Sequence, residues 1–310
     1  MSPAAVEAVA LERRFVGGRG VGPVDLRVEA GETLGLLGHN GAGKTTLLRM
    51  LATADRPQRG TLRWNGDPDP RAARRSLGLA LDSAEEEACL TGRQAAHFWC
   101  RRWVRDGARA RRLVDAALER FGLGAVAAEP VGAYSFGMRR RLALVEALAH
   151  EPRLAFLDEP TAGLDPDGVL ALGDELRRRD AAGAATVLAT TDCALVEAAC
   201  ARVALLAGGT LARCAAPAAL LADSARAPRV AELSLRAAAS PAAFAVLSGV
   251  HDAVAVEGGL RVRFGDGASL AAIVALADTP EGNLGVLRLR RADLGDCFTA
   301  VTGRALEQHT

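Results

Sequence analysis

Short apolar runs alternate with longer stretches whose apolar positions recur at helical spacing, and this alternation predicts most of the chain. Residues 6–16 and 24–30 read as strands, with the glycine-rich turn Gly17–Gly22 between them. Thr33–Leu37 is a continuous apolar run, expected as a short strand. It leads through a glycine-rich loop into the helical stretch Thr45–Ala54. Thr61–Trp64 and Leu77–Leu81 read as further strands, and from about Leu90 to Phe121 the pattern turns helical and arginine-rich. A second helical run, Met138–His150, precedes the strand Leu154–Leu157. A helix near Pro166–Arg179, the strand Ala185–Thr190, a helix near Ala194–Cys200 and the strand Val203–Leu206 complete the series at Gly208-Gly209. Strands alternating with helices predict an α/β fold: a mainly parallel sheet with a helical insertion over about 88–150.

The pattern changes at the Ala/Pro-rich stretch Ala215–Pro228, which reads as a boundary between a first domain over 1–222 and a second over 228–310. Beyond it the expected order is strand Arg229–Arg236, helix Pro241–Ser248, strand, the turn Gly258-Gly259, strand Leu260–Phe264, helix Ser269–Ala277, strand Leu284–Arg290 and helix Leu294–Thr302. That βαββαβ order predicts a small α+β accessory domain of the ferredoxin-like kind. It carries no chemical motif.

Composition narrows the field. Half of the 310 residues are apolar, enough for a sizeable core, and the formal net charge of +1 gives no electrostatic argument for nucleic acid as a partner. The six cysteines form no CxxC pair and have no histidine at metal-ligand spacing, so they read as ordinary thiols in a reducing compartment. The N-terminus does not read as a signal peptide, and no apolar run approaches the roughly 18 residues that a spanning helix needs. A membrane role is therefore expected to go through a partner. Of 38 basic residues 37 are arginine, and the one lysine is Lys44.

That lysine sits in Gly38-His39-Asn40-Gly41-Ala42-Gly43-Lys44-Thr45, which matches G-x-x-x-x-G-K-[ST] between a predicted strand and a predicted helix. Glycines let main-chain N–H groups turn inward around phosphates, and the helix that follows presents its positive end to them. Lys44 suits a compact charge on the β- and γ-phosphate oxygens, where a planar guanidinium would not fit. The Thr45 hydroxyl suits Mg²⁺. Leu154-Ala155-Phe156-Leu157-Asp158-Glu159 is an apolar strand ending in two carboxylates. Such a strand in a parallel sheet delivers its end to the mouth of the phosphate loop. Asp158 suits the Mg²⁺ shell, and Glu159 suits a general base for an attacking water.

With these motifs in order, the chain resembles the ATP-binding subunits of ABC transporters, most closely those that serve exporter-type (ABC-2) permeases for drugs and antibiotics. The resemblance covers about residues 5–220 and resumes at Leu294–Leu306, which is similar to the closing helix and Thr-Gly-Arg of those subunits. It implies a P-loop ABC ATPase domain with a parallel sheet core, an antiparallel β subdomain and a helical subdomain. It implies ATP and Mg²⁺ as ligands, with Gly38, Asn40, Gly41, Gly43, Lys44, Thr45 and Thr46 at the phosphates. It places Phe15, 23 residues before Gly38, as an aromatic against adenine; a core aromatic is the competing reading. Tyr134-Ser135-Phe136-Gly137-Met138 stands at the signature position, usually Leu-Ser-Gly-Gly-Gln, and implies that Ser135 and Gly137 meet the γ-phosphate held by an opposite subunit. Ala162-Gly163-Leu164-Asp165 matches the segment that crosses such a dimer interface, with Asp165 near the nucleotide. The implied assembly is a homodimer, or a heterodimer with a second ATP-binding subunit, on a membrane permease at the cytoplasmic face of the plasma membrane.

Two positions depart from the family pattern. Thr191 falls where the family has its switch histidine, and a hydroxyl cannot offer an imidazole to the transition state. Asp82 falls where the family usually has a glutamine near Mg²⁺ and water; an aspartate there adds negative charge beside the γ-phosphate. The runs Arg101-Arg102-Trp103-Val104-Arg105, Arg109–Arg112, Arg139–Arg141 and Arg177–Arg179 read as solvated helix charges. Three readings stay open: an exporter motor, a hydrolysis-impaired ATP-binding subunit paired with an intact one, and, ranked lowest, a non-transport ABC ATPase.

Overall fold

The computed structural model describes residues 3–81, 88–223, 229–237, 239–278, 283–303 and 306. It divides into two compact units, the first running to Ala216 and the second beginning at Pro217. The first unit is built, in chain order, from β1 (Val6–Arg14), β2 (Gly20–Val28), β3 (Thr33–Leu37), α1 (Lys44–Leu51), β4 (Arg59–Trp64), α2 (Pro70–Arg74), β5 (Leu77–Ala80), α3 (Gly92–Cys100), α4 (Gly107–Arg120), α5 (Phe136–Leu148), β6 (Leu154–Asp158), α6 (Pro166–Ala181), β7 (Ala185–Thr190), α7 (Cys193–Ala199), β8 (Arg202–Ala207) and β9 (Thr210–Ala215).

Among the described residues these strands make two sheets. One is three-stranded, in the order β2-β1-β4, with both pairings antiparallel. The other is six-stranded, in the order β5-β6-β7-β3-β8-β9, parallel throughout except for the β8–β9 hairpin at its edge. The central strands β3, β6 and β7 are buried along their whole length. That explains their continuous apolar sequences, because helices cover both faces of a parallel sheet. One apolar core runs through the unit and includes Leu11, Leu34, Leu36, Leu48, Phe156 and Val187. Burying each such side chain stabilises the fold by about 1.5–3 kcal/mol.

Several boundaries differ from the sequence reading for local reasons. The stretch from Leu90 to Phe121 is two helices rather than one. Asp106 starts the second by accepting from the N–H groups of Ala108 (2.9 Å) and Arg109 (3.2 Å). The second strand begins at Gly20 rather than at residue 24, because Gly20 and Val21 pair with Arg14 and Arg13. Three elements lie outside the expected series: α2, capped by Asp69 with Pro70 at its start; β9, which returns from the turn at Gly208-Gly209; and α8 (Pro217–Asp223), within the Ala/Pro-rich boundary stretch.

The second unit contains α8, β10 (Arg229–Leu235), α9 (Pro241–Ala245), β11 (Val250–Val256), β12 (Gly259–Phe264), α10 (Leu270–Ala277), β13 (Leu284–Arg291) and α11 (Leu294–Thr302). Its strands line up β11-β12-β10-β13 with every pairing antiparallel. One face carries an apolar core of Ala231, Leu233, Phe244, Leu260, Val262, Phe264 and Ile273. The alternate positions of β10, β12 and β13 carry Glu232, Arg261, Arg263 and Arg290. The arginines meet Asp296 of α11, which is 1% exposed, and Glu232 pairs with Arg261 and Arg290. Arg290 donates to both Asp296 oxygens, at 2.5 and 2.9 Å, and Arg261 lies 3.9 Å away. Asp296 also closes a capping box with Asp293. Burial opposes the charge on Arg290, yet Asp296, Asp293 and Glu232 hold its guanidinium above the ordinary value.

Candidate functional site

Strand β3 ends at Leu37 and leads into Gly38, where the main chain leaves no room for a side chain: a Cβ there would lie 2.4 Å from the Leu206 carbonyl oxygen. The loop then turns through Gly41 (φ 78°) and Gly43 (φ 102°), both in the left-handed region that glycine enters without strain. Gly43 stands at the N-cap of α1, whose first turn carries no acidic residue. The positive end of that helix therefore faces the loop uncompensated by any side chain of its own turn. Lys44 opens the helix and is only 6% exposed. Its Nζ donates to the Gly38 carbonyl at 2.6 Å and pairs with Glu159 Oε1 at 3.2 Å. The buried ammonium is thus held over the loop and tied to the carboxylate at the end of β6.

The sheet register brings the other groups to the same level. Leu37 pairs with Thr190, and Asp158 pairs with Ala189, so β3, β7 and β6 end side by side. Asp158 is 3% exposed, and its Oδ1 accepts from the Thr45 hydroxyl at 3.1 Å. Glu159 follows with φ 42°, left-handed for a residue with a Cβ, at a cost of about 1–2 kcal/mol. Its N–H donates to the Ala189 carbonyl (2.7 Å), and its own carbonyl accepts from the Ala162 N–H (3.1 Å). Glu159 Oε2 accepts from the main-chain N–H of Thr191 at 3.2 Å. Thr191 thus lies against Glu159, and the bond between them is made by its main chain.

Ser135, Gly137 and Asp165 form a second cluster. Ser135 caps α5 by accepting from the Met138 N–H (3.2 Å), and Asp165 caps α6 by accepting from the Gly168 N–H (3.0 Å). Phe136, exposed to solvent, lays its ring on Gly163, where a Cβ would collide with it at 2.0 Å. A Cβ on Gly137 would sit 3.0 Å from the Gly163 carbonyl oxygen. Arg141 closes the cluster with a 2.5 Å ion pair to Asp165. Asn40 and Thr45 are exposed and Thr46 is half-buried, so the outer rim of the loop faces solvent. Phe15 is 45% exposed, with the Arg13 guanidinium 5.1 Å from its ring centroid. It stands in the turn leading to Gly20, whose carbonyl oxygen would lie 3.1 Å from a Cβ on Gly43. Asp82 lies outside the described residues.

The structure corrects the reading of two arginine runs as surface charge. Arg140 is 7% exposed and donates to the main-chain carbonyls of Asp158 (2.8 Å), Glu159 (2.7 Å) and Leu81 (3.1 Å). Arg179 is 2% exposed and donates to the Thr186 hydroxyl and the carbonyls of Pro152 and Ala185 at 3.0–3.1 Å. Burial lowers its pKa to about 10. The signal for both was helical phase. Arg140 shares a stripe with Leu144 and Leu148, and Arg179 shares one with Leu172 and Leu176. The exposed Arg109, Arg111 and Arg112 are on solvated faces.

A cleft of about 700 Å³ lies along β5, lined by Leu77, Leu81, Trp99, Arg102, Trp103 and His150 among others. His150 stacks on Trp103 at 4.2 Å between ring centroids, and its Nε2 donates to the Leu77 carbonyl at 3.0 Å. That bond fixes the tautomer, because a carbonyl can only accept. Burial lowers the His150 pKa to about 4, and the nearby Arg179 adds to the effect.

The donor set suits a magnesium nucleotide. A buried ammonium, left-handed glycines and a helix N-terminus converge where polyphosphate would lie, and the hydroxyl–carboxylate pair Thr45–Asp158 offers oxygen ligands to a hard cation. The comparisons agree with the geometry. The family model described as ABC transporter matches residues 21–162. The daunorubicin resistance ATP-binding protein DrrA3 of Streptomyces coeruleorubidus is 41% identical over 194 residues, 62% of this chain and 61% of that protein. The chain thus spans about three fifths of the length of that relative. The Nod factor export ATP-binding protein I of Paraburkholderia xenovorans is 35% identical over 226 residues, 72% of this chain and 74% of that protein. A solved structure described as the ATP-binding subunit of an ABC transporter superposes with a TM-score of 0.65 at 25% identity, over 71% of this chain and 92% of that one. A dimeric ATP-binding cassette bound to ADP and phosphate shares the fold, with a TM-score of 0.60 at 22% identity. On the loop, the paired carboxylates and these relatives together, the chain belongs to the ABC transporter family of ATP-binding proteins.

Proposed function

We propose that this chain binds and hydrolyses ATP with Mg²⁺ as the motor subunit of an exporter, driving an ABC-2 type permease at the cytoplasmic face of the plasma membrane. The observation that carries the reading is the convergence of Lys44, Thr45, Asp158 and Glu159 at three adjacent strand ends. Lys44 exchanges its contacts with Gly38 and Glu159 for phosphate oxygens. Thr45 and Asp158 would hold Mg²⁺, which would neutralise charge on the phosphates. Glu159, released from Lys44, orients the attacking water and accepts its proton. Asn40, Gly41 and Thr46 complete the phosphate cradle, and Phe15 suits the adenine end.

The exposed Ser135 and the packing of Gly137 on Gly163 support a dimer in which each chain completes its partner's site. The names of the relatives, which speak of daunorubicin resistance and Nod factor export, support an amphiphilic small molecule as cargo. No described helix is long and apolar enough to cross a membrane, which fits a subunit that reaches it through a permease. The strand order β11-β12-β10-β13 supports the ferredoxin-like reading of the second unit. The two units, to Ala216 and from Pro217, support a two-domain division placed slightly before the boundary expected from composition.

A second reading has its own observation. Thr191 meets Glu159 through its main-chain N–H and brings a hydroxyl where the family has a switch histidine, which favours slow turnover or pairing with an intact subunit. Calorimetric titration with ATP and Mg²⁺ tests the central reading: the wild type should bind in the micromolar range, and Lys44→Ala should weaken binding at least a hundredfold. Retained affinity in Lys44→Ala would overturn it.

A further inference from the structure

One buried side chain fastens the helix after Ser135 to the strand that ends in the carboxylates. Arg140 reaches out of α5, and its Nη2 donates to the carbonyls of Asp158 and Glu159, at 2.8 and 2.7 Å. Its Nη1 donates to the carbonyl of Leu81, just beyond β5, at 3.1 Å. A guanidinium is a rigid planar fork and can serve several carbonyls in fixed directions, which an ammonium cannot. The acceptors of these three bonds are main-chain atoms, so through them Arg140 acts on where the backbone runs.

What it grips is unusual. Glu159 sits at φ 42°, and a strained residue keeps such a conformation only where its surroundings over-determine it. Three contacts do so here: the Glu159 N–H on the Ala189 carbonyl, the Ala162 N–H on the Glu159 carbonyl, and Arg140 on that same carbonyl. The first comes from the neighbouring strand and the second from the turn that follows. The third comes from α5, the helix that Ser135 caps and that packs Gly137 against Gly163.

We propose that Arg140 is a positioning residue for Glu159: it holds the carboxylate's backbone in its left-handed conformation and couples that aim to the placement of the Ser135–Gly137 segment. The inference rests on the hydrolysis reading above. A shift of α5 caused by a γ-phosphate at Ser135 and Gly137 is passed through one side chain to the residue that handles the attacking water. Arg140 touches neither nucleotide nor water in this scheme. Its loss should therefore lower turnover and leave nucleotide affinity in place.

The test compares wild type, Arg140→Met, Arg140→Lys, Glu159→Gln and the double variant Arg140→Met/Glu159→Gln, with steady-state ATP hydrolysis and binding of a fluorescent ATP analogue measured on each. Expected is a kcat reduced at least tenfold in Arg140→Met with affinity within threefold of wild type, and an intermediate kcat in Arg140→Lys. The double variant should be no slower than Glu159→Gln alone, since residues acting through one another do not add. Wild-type kcat in Arg140→Met, or full additivity in the double variant, overturns the inference while leaving the hydrolysis reading intact. A wild-type chain without turnover overturns both. Should Arg140→Met fail to fold, Arg140→Lys decides: a kcat reduced at least threefold at unchanged affinity supports the inference, and a wild-type kcat overturns it.

Discussion

Protonation of His150 should cost the first unit stability over a defined range of pH. In the folded chain its Nε2–H is engaged by the Leu77 carbonyl, and its ring is stacked on Trp103, so the second proton must go to Nδ1, which is buried with no partner among the described residues. Burial and the nearby Arg179 lower its pKa to about 4, against 6.5 for an unperturbed histidine. Between these values the unfolded chain binds the proton and the folded chain does not, so stability falls as the pH drops through 6.5 and stops falling from this source below 4. Linkage then gives a loss of about 2 kcal/mol between pH 7 and pH 5, and about 3 kcal/mol by pH 4. His150→Phe keeps a ring against Trp103 and removes the titration. It also leaves the Leu77 carbonyl without its donor, a pH-independent cost of about 1–3 kcal/mol. Urea unfolding followed by tryptophan fluorescence isolates the right unit, because Trp64, Trp99 and Trp103 all lie before residue 216. The wild type should exceed His150→Phe in stability at pH 7, and the difference should shrink by about 2 kcal/mol at pH 5. Two stability curves that run parallel from pH 7 to pH 5 would refute the argument.

Two further outcomes follow from single side chains. Thr191→His should raise steady-state ATP hydrolysis at least fivefold, since it restores an imidazole beside Glu159; a wild-type rate already on the order of 1–10 s⁻¹ would show that the threonine is no handicap. Asp296→Ala removes the carboxylate that Arg290 grips and should destabilise the second unit by about 3–5 kcal/mol. Hydrogen exchange of the β10, β12 and β13 amides would report it, and unchanged protection there would contradict the account.

Much of this was legible in the amino-acid order. The phosphate loop is a contiguous motif whose backbone needs are met by glycines, and β3, β6 and β7 are buried on both faces, so their sequences run apolar without interruption. Strand ends were less legible, since pairing rather than composition sets them; β2 begins at Gly20 because Arg14 is there to receive it. The arginines show why charge patterns mislead. Three consecutive arginines on a helix point about 100° apart, so Arg139, Arg140 and Arg141 meet three different environments. One of them ends in the core against main-chain carbonyls, which leave no trace in sequence. The same holds for Glu159, whose left-handed backbone is produced by its neighbours.

The seat of Asp296 has a consequence for how α11, the last described helix, is set. Most helices are rotated into place by a broad apolar stripe that tolerates some drift. The rotation of α11 is set by such a stripe, the buried Leu294, Cys297 and Phe298, and also by one carboxylate aimed at Arg290, in the third position after its cap. A residue added or removed between Arg291 and Asp293 would turn the helix by about 100°. That turn would take the carboxylate off the guanidinium and turn the apolar stripe away from the core. The length of that short connection is therefore under tighter constraint than its residue types, and the helix keeps its phase by an ionic key as well as by grease.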